Sequence, residues 1–523
     1  MTYPSSAAPP RRFRPLRWLF RLFVLFLLFV VGVIAAVVWA WSSTAVDTVG
    51  EVNFARRLHV PPLAESRVDR DGRRVFELTA QSGRTELLPG TTSDTWGFNG
   101  TYLGPTLRAE RGERVAVEIT NEIEETTTVH WHGMHLPAEM DGGPHQPVAP
   151  GDTWTPTWEI DQPAATLWYH PHPHGRTEHH VFRGLAGMFI LDDPDSPAAD
   201  RLPHEYGVDD IPVIVQDKSF ADDGEMREGG HFLGGTGMLG EDILVNGTFG
   251  PYLDVTTERV RLRLLNASTA RVYDFGFSDD RAFDIIGTDG GLLPEPVRDE
   301  RILLSPGERA EIVVTMRPGE EVTLRSYPPD VGGGLLARFN GGSDQFDVLQ
   351  LRAAADLAPS PPVPDTLAPA PDLDTDDAGV DRRFELSGRK INGLKMDMSR
   401  IDETVELGST EVWEVHNRDG THHNFHVHDV QFQVLSVDGA PPPPELAGWK
   451  DTVLTRPGTT VRLALRFTDY ADADTPYMFH CHLLMHEDAG MMGQFVVVEP
   501  GARAGTVEDE ALGHTTHVAG HAH

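Results

Sequence analysis

The chain concentrates its chemistry in four short runs of histidine and one cysteine. The runs are His130-Trp131-His132, His170-Pro171-His172-Pro173-His174, His423-Asn424-Phe425-His426-Val427-His428, and His480-Cys481-His482 with His486 and Met491 after it. Histidines two apart on an extended chain turn their imidazoles to the same side, so each run can offer a pair of nitrogens to one metal centre. One such pair could be packing; four pairs, confined to the two ends of the chain, point to metal. The fourth run is the most informative. In a strand His480 and His482 face one way and Cys481 the other, so the thiolate can bind one ion while its neighbours bind a second centre behind it. Cys481 and its backbone would then be a short covalent path for electrons. A soft thiolate, two imidazoles and a weak axial thioether make the blue-copper set, and Cys481, His423, His486 and Met491 supply it. Cys481 is the sole cysteine, so no internal disulfide can form and the thiol is free for this chemistry.

Something must hold these residues in register, and the sequence shows a threefold repeat. Asn-Gly recurs at Asn99-Gly100, Asn246-Gly247 and Asn392-Gly393, about 147 residues apart. Each pair is followed by an alternating strand ending in Asn: Val115 to Asn121, Val260 to Asn266 and Val412 to Asn417. Pro-Gly then precedes another strand at Pro150-Gly151, Pro306-Gly307 and Pro457-Gly458. Apolar residues at every second position put one face in a core and the other in solvent. The pattern predicts an all-β chain of three β-sandwich domains, at residues 49–197, 204–353 and 378–499. Residues 354–377, rich in Pro, Ala and Asp, read as a linker. Residues 500–523, with His514, His517, His521 and His523, read as a disordered tail.

The 523 residues carry a formal net charge of −35, which excludes nucleic acid as a partner because its phosphates would be repelled. The charge suits cationic donors. Residues 22–41 are an apolar run long enough to cross a bilayer as one helix. Five arginines, Arg11, Arg12, Arg14, Arg17 and Arg21, precede it, so residues 1–21 form a cytoplasmic basic segment and the rest lies on the extracytoplasmic side. The expectation is a single-pass cell-membrane protein; the alternative is export after cleavage, and Arg11-Arg12-Phe13 can be read as a twin-arginine signal.

At the level of motifs the sequence resembles the multicopper oxidase family, above all its three-domain bacterial laccases and periplasmic cuprous oxidases. The matching stretches are His130-Trp131-His132-Gly133, Trp168-Tyr169-His170-Pro171-His172, His423 to His428, and His480 to Met491; the likeness runs from about Val49 to Glu499. The resemblance implies cupredoxin-like domains and four copper ions. His423, Cys481, His486 and Met491 match the type 1 copper, His130 and His426 the type 2 copper, and His132, His170, His172, His428, His480 and His482 the type 3 pair. Alternation alone leaves open which two of His170, His172 and His174 bind; the aromatic pair Trp168-Tyr169 before them selects His170 and His172 by family likeness, leaving His174 structural. Asp141 and Glu487 match acids near the trinuclear site, placed to relay the protons that dioxygen reduction consumes. In the family Pro often follows the first histidine of the third run, whereas here Asn424 follows His423 and His422 precedes it; the ligand spacing is kept.

The implied activity couples four one-electron oxidations of a donor to reduction of dioxygen to two waters. The expected donors are phenols or aromatic amines, as in laccases. The alternative is Cu(I), in copper tolerance: the chain lacks a methionine-rich insertion and has only Met396-Asp397-Met398 near the third domain. A non-catalytic copper store or scaffold stands behind both. The middle domain carries no histidine run and is expected to act as a spacer.

Overall fold

The three Asn-Gly turns fold alike. Asn99, Asn246 and Asn392 take the left-handed conformation, with φ of 56°, 50° and 52°, which Asn tolerates better than most residues. Each carboxamide then bridges the neighbouring strand: the Asn99 oxygen accepts from the Thr79 N–H and its Nδ2 donates to the Glu77 carbonyl, and Asn246 and Asn392 repeat this with Ile214 and Pro212, and with Glu385 and Arg383. The strand-ending asparagines repeat a second motif. Asn121, Asn266 and Asn417 donate from Nδ2 to the carbonyls of Val148, Leu304 and Thr455, and their own carbonyls accept from Gly151, Gly307 and Gly458, the glycines of the three Pro-Gly pairs. The turn signals are thus one set of hydrogen bonds used three times.

The computed structural model describes residues 15–42, 44–229, 235–371, 373, 375 and 379–507. It has three cupredoxin-like β-sandwiches. In the first, a six-stranded sheet built on Arg74–Thr85 and Arg114–Asn121 faces a four-stranded sheet whose edge strand is His130–His132. Its core includes Phe76, Val117, Ile119, Trp131 and Phe189. Seven- and six-stranded sheets form the second, around Leu262, Leu264, Phe275 and Ile312. Four- and five-stranded sheets form the third, around Trp413, Phe425, Phe479 and Phe495.

The chain crosses between sandwiches differently from the expected boundaries. Arg56–Arg57 pairs in parallel with Pro251 and Tyr252 of the middle six-stranded sheet, so the first residues after the N-terminal segment edge the second sandwich. The strand Phe346–Ala358 runs into the expected linker, because Val255 and Thr257 pair with its Ala353 and Ala358; Leu367 is buried with the second core. His514, His517, His521 and His523 lie outside the described residues.

Pro15–Ser42 is one helix of 28 residues, about 42 Å long at 1.5 Å per residue, ample for a hydrocarbon core of about 30 Å. It begins before the expected Leu22 because Pro suits a first helical position and Arg and Leu are good helix formers. Arg17–Ala35 is its apolar window, of mean hydropathy 2.6. Residues up to Ala45 are one compact unit and those from Val46 another.

Candidate metal centre

Strand pairing brings the histidine runs together two by two. His130–His132 lies antiparallel to Ala165–His170, with His130 opposite His170; His423–Val427 lies antiparallel to Asp472–His480, with His426 opposite His480. Residues opposite each other share a face, so each sandwich presents a cluster of imidazoles, and the two clusters meet. His130 stacks on His428 and His132 on His426, both with ring centroids 3.8 Å apart. All eight rings of His130, His132, His170, His172, His426, His428, His480 and His482 are buried. His174, by contrast, is exposed.

Buried imidazoles ordinarily satisfy both nitrogens, yet here bare nitrogens converge. His172 Nε2 and His428 Nε2 lie 3.1 and 3.2 Å from His480 Nε2, His132 Nδ1 lies 3.4 Å from His170 Nε2, and the Nε2 atoms of His130 and His426 and both nitrogens of His482 have no protein partner. On three of these rings the opposite nitrogen is tied down. Nδ1 of His130 and of His426 donates to the carbonyls of Asp141 and Asp451, at 3.0 and 2.9 Å, and Nδ1 of His170 donates to that of Pro171, at 2.8 Å. An Nδ1–H anchored this way leaves Nε2 as the lone-pair donor, the arrangement by which proteins aim histidine at a metal. Burial, reinforced by the neighbouring imidazoles, holds His170, His428, His480 and His482 neutral, their pKa values well below the ordinary range, and neutral imidazole is the form that binds metal. The residues fit a cluster of bound cations.

The thiolate site lies on the other face of the same two strands. His423, Phe425 and Val427 point away from His426 and His428, as Cys481 points away from His480 and His482. Cys481 Sγ is 3.5 Å from His423 Nδ1 and 3.6 Å from His486 Nδ1, and the two nitrogens are 3.1 Å apart. Met491 is buried beside them, its carbonyl accepting from the Cys481 N–H and its N–H donating to His486 O. Burial pushes the Cys481 thiol up, but the charge and hydrogen bond of His423, helped by His486, outweigh it and bring it down to about 6. The group is therefore a thiolate at neutral pH, ready for a soft metal. His422 is buried with its Nε2 unpartnered, while the donors that converge with Cys481 are His423 and His486.

Asp141 and Glu487 stand where the sequence expects acids. Asp141 Oδ2 accepts from His428 Nδ1 at 2.7 Å, and Oδ1 is 3.3 Å from His130 Nδ1. The loop can lie this close to the strand because residue 142 is glycine at φ +76°; a Cβ there would stand 1.7 Å from the Val129 carbonyl oxygen. Glu487 spans two rings, its oxygens 3.5 Å from His172 Nδ1 and 3.2 Å from His480 Nδ1.

Sequence reasoning missed four partners. Asp451 accepts from His132 Nε2 at 3.0 Å, and Arg309, from the middle sandwich, holds Asp451 with two donors. Asp419, whose side chain is 25% exposed, accepts from His423 Nε2 at 2.9 Å. The Gly235 carbonyl, also from the middle sandwich, accepts from His486 Nε2 at 2.6 Å. The middle sandwich is therefore more than a spacer: it reaches both centres. Met396 and Met398 are half-buried, and the Asp397 carboxylate between them is taken up by Ser399 and Arg400.

Comparison with known proteins agrees with this arrangement. Family models described as multicopper oxidase match residues 79–196 and 362–501. The multicopper oxidase mco of Staphylococcus haemolyticus is 36% identical over 447 residues, covering 84% of this chain and 91% of that protein. The cell division protein FtsP of Escherichia coli is 38% identical over 450 residues, covering 84% and 92%. The solved structure of CueO from Ochrobactrum sp., a laccase-like multicopper oxidase with oxidase activity towards lignin model compounds and lignosulfonate, superposes with a TM-score of 0.76 at 36% identity, covering 84% of this chain and 100% of that one.

Proposed function

Since the chain belongs to the multicopper oxidase family, we propose that it takes electrons singly from a reducing donor at the Cys481 site and uses four of them to reduce dioxygen to two waters at the histidine cluster. The carrying observation is the placement of the two donor sets on opposite faces of the strands His423–Val427 and Asp472–His480. Cys481 belongs to one set, while His480 and His482, bonded to it through the backbone, belong to the other.

In this reading His423, Cys481, His486 and Met491 hold one copper, His130 and His426 a second, and His132, His170, His172, His428, His480 and His482 a pair. Bound copper supplies one-electron redox chemistry and the binding of dioxygen. The protein's own part is to fix the imidazole tautomers, exclude water by burial and deliver protons. Asp141 and Glu487 are the proton-delivering acids: Asp141 accepts from His428 Nδ1 at 2.7 Å, and Glu487 lies 3.2 and 3.5 Å from Nδ1 of His480 and His172.

For the donor, phenols or aromatic amines come first, in keeping with the laccase-like relative. A second reading, Cu(I) as donor, is favoured by one observation: the Gly235 carbonyl caps the outer nitrogen of His486, whereas His423 reaches solvent through a carboxylate, Asp419, which attracts cations. The relative named as a cell division protein makes a scaffold the third reading; a scaffold has no need of a thiolate held at about 6 between two imidazoles. The helix Pro15–Ser42 is read as a membrane anchor with the sandwiches on the extracytoplasmic side. The copper-loaded protein is to be assayed for oxygen uptake with a methoxyphenol and with a Cu(I) complex. Turnover with either supports the oxidase and names the donor; no turnover with both, in a fully loaded protein, overturns the oxidase reading.

A further inference from the structure

Arg309 starts the middle-sandwich strand Arg309–Thr315 yet is wholly buried against the other two sandwiches. All five of its N–H donors are used. Nε donates to the Thr166 carbonyl at 2.9 Å, Nη1 to the Gly307 carbonyl at 3.1 Å and Asp451 Oδ1 at 2.8 Å, and Nη2 to the Asp289 carbonyl at 2.8 Å and Asp451 Oδ2 at 2.6 Å. With both ends of the guanidinium fork on both carboxylate oxygens, Asp451 has one orientation. Its Oδ1 also receives Thr452 Oγ1 at 2.9 Å and His132 Nε2 at 3.0 Å.

That last contact makes His132 different from four other members of the cluster. An ionised carboxylate only accepts hydrogen bonds, so His132 carries its proton on Nε2 and its bare nitrogen is Nδ1, the atom that faces His170 Nε2. His130, His170, His426 and His428 are anchored the other way, through Nδ1. Space is tight as well: Gly307, two residues before Arg309 and at φ +87°, would place a Cβ 3.1 Å from both His132 Cε1 and His482 Nδ1.

We infer that Arg309 is a positioning residue of the metal cluster: by clamping Asp451 it fixes the Nε2–H form of His132, so that this one imidazole meets the metal through Nδ1. The inference rests on the reading of the cluster as a copper centre. It gives the middle sandwich a part in the centre although it contributes no histidine to it.

The test uses the full chain stripped of copper and titrated with copper, comparing the natural protein with Arg309→Met, Arg309→Lys, Asp451→Asn and the double variant Arg309→Met/Asp451→Asn. Bound copper per chain, the visible absorption of thiolate-bound copper, the near-ultraviolet absorption of the paired coppers and the thermal unfolding transition are recorded. The double variant removes the unpaired buried charge of the Arg309→Met single and remains informative should that variant fold poorly. The expected result is an unchanged visible band, with binding at the histidine cluster loosened about 10- to 100-fold. Arg309→Lys recovers part of the affinity, and the double variant is no worse than Asp451→Asn alone, because both act on one imidazole. Cluster copper bound as tightly by the double variant as by the natural protein overturns the inference, as does a parallel loss at both sites that tracks thermal unfolding. If the natural protein itself binds copper only at Cys481, the underlying copper-cluster reading falls, and the inference with it.

Discussion

Glu487 is the acid whose replacement best separates proton delivery from ligand support. Its side chain is 1% exposed, and its two oxygens, which make no hydrogen bond, lie 3.2 and 3.5 Å from the Nδ1 atoms of His480 and His172. Glu487→Gln keeps the shape of the side chain but removes its charge and its exchangeable acid proton. If Glu487 only orients these rings, the loss is that of an outer hydrogen-bond partner, about 10- to 100-fold in copper affinity, and turnover per bound copper is preserved. If it hands protons to the cluster, turnover falls about 10²- to 10⁴-fold with copper in place, equivalent to about 3 to 5 kcal/mol of barrier. The assay is oxygen consumption at saturating donor, normalised to copper measured in the same sample. The account predicts a full copper complement and slow turnover. Unchanged turnover with full copper, or a fall in rate that merely follows lost copper, would refute the proton-delivery role.

The remaining predictions use other parts of the structure. Cys481→Ser abolishes the visible copper absorption and donor oxidation while copper remains on the histidine cluster, as metal analysis with absorption spectroscopy will show. Asp419→Asn lowers kcat/KM for a Cu(I) complex about tenfold, the lower end for a charged hydrogen bond, and changes that for a neutral phenol much less; equal loss with both donors would remove the cation-steering role. His135 joins the first sandwich to the third through Asp429, at 2.7 Å. Burial pulls its pKa down, but Asp429 and Asp469 outweigh this and raise it to about 9. A raised histidine stabilises fully below its unfolded value of about 6.5 and loses that contribution as the pH climbs through about 9. The shift is worth roughly 3 kcal/mol, less the cost of burying Asp429, so His135→Gln should destabilise the protein near pH 6 and far less near pH 10 in denaturant titrations.

Short-range patterns were the legible ones. Alternation separates His480 and His482 from Cys481, and the same rule separates His426 and His428 from His423, so both faces of the centre follow from spacing alone. The repeated Asn-Gly, strand-Asn and Pro-Gly signals mark three sandwiches because each sandwich closes the same set of asparagine hydrogen bonds between its own strands, so the same residues recur at the same places. What escaped depends on distant pairings. Asp451 stands in Lys450-Asp451-Thr452, which reads as an ordinary polar turn; its partners His132 and Arg309 lie 319 and 142 positions away. Gly235 meets His486 through a backbone carbonyl, which no side-chain pattern announces. Arg56–Arg57 joins the middle sheet through main-chain bonds that any residue could make. The one available hint was Arg309 itself, which follows the second Pro-Gly pair at the start of an apolar strand, a costly place for a charge unless it is paired.

The most direct test of the central claim is the number of donor electrons consumed per dioxygen by the copper-loaded protein, with peroxide measured in the same vessel. The account predicts four electrons and no peroxide, because the thiolate site and the histidine cluster are joined through Cys481 and its neighbours. Two electrons per dioxygen with stoichiometric peroxide, from a protein carrying its full copper, would contradict it.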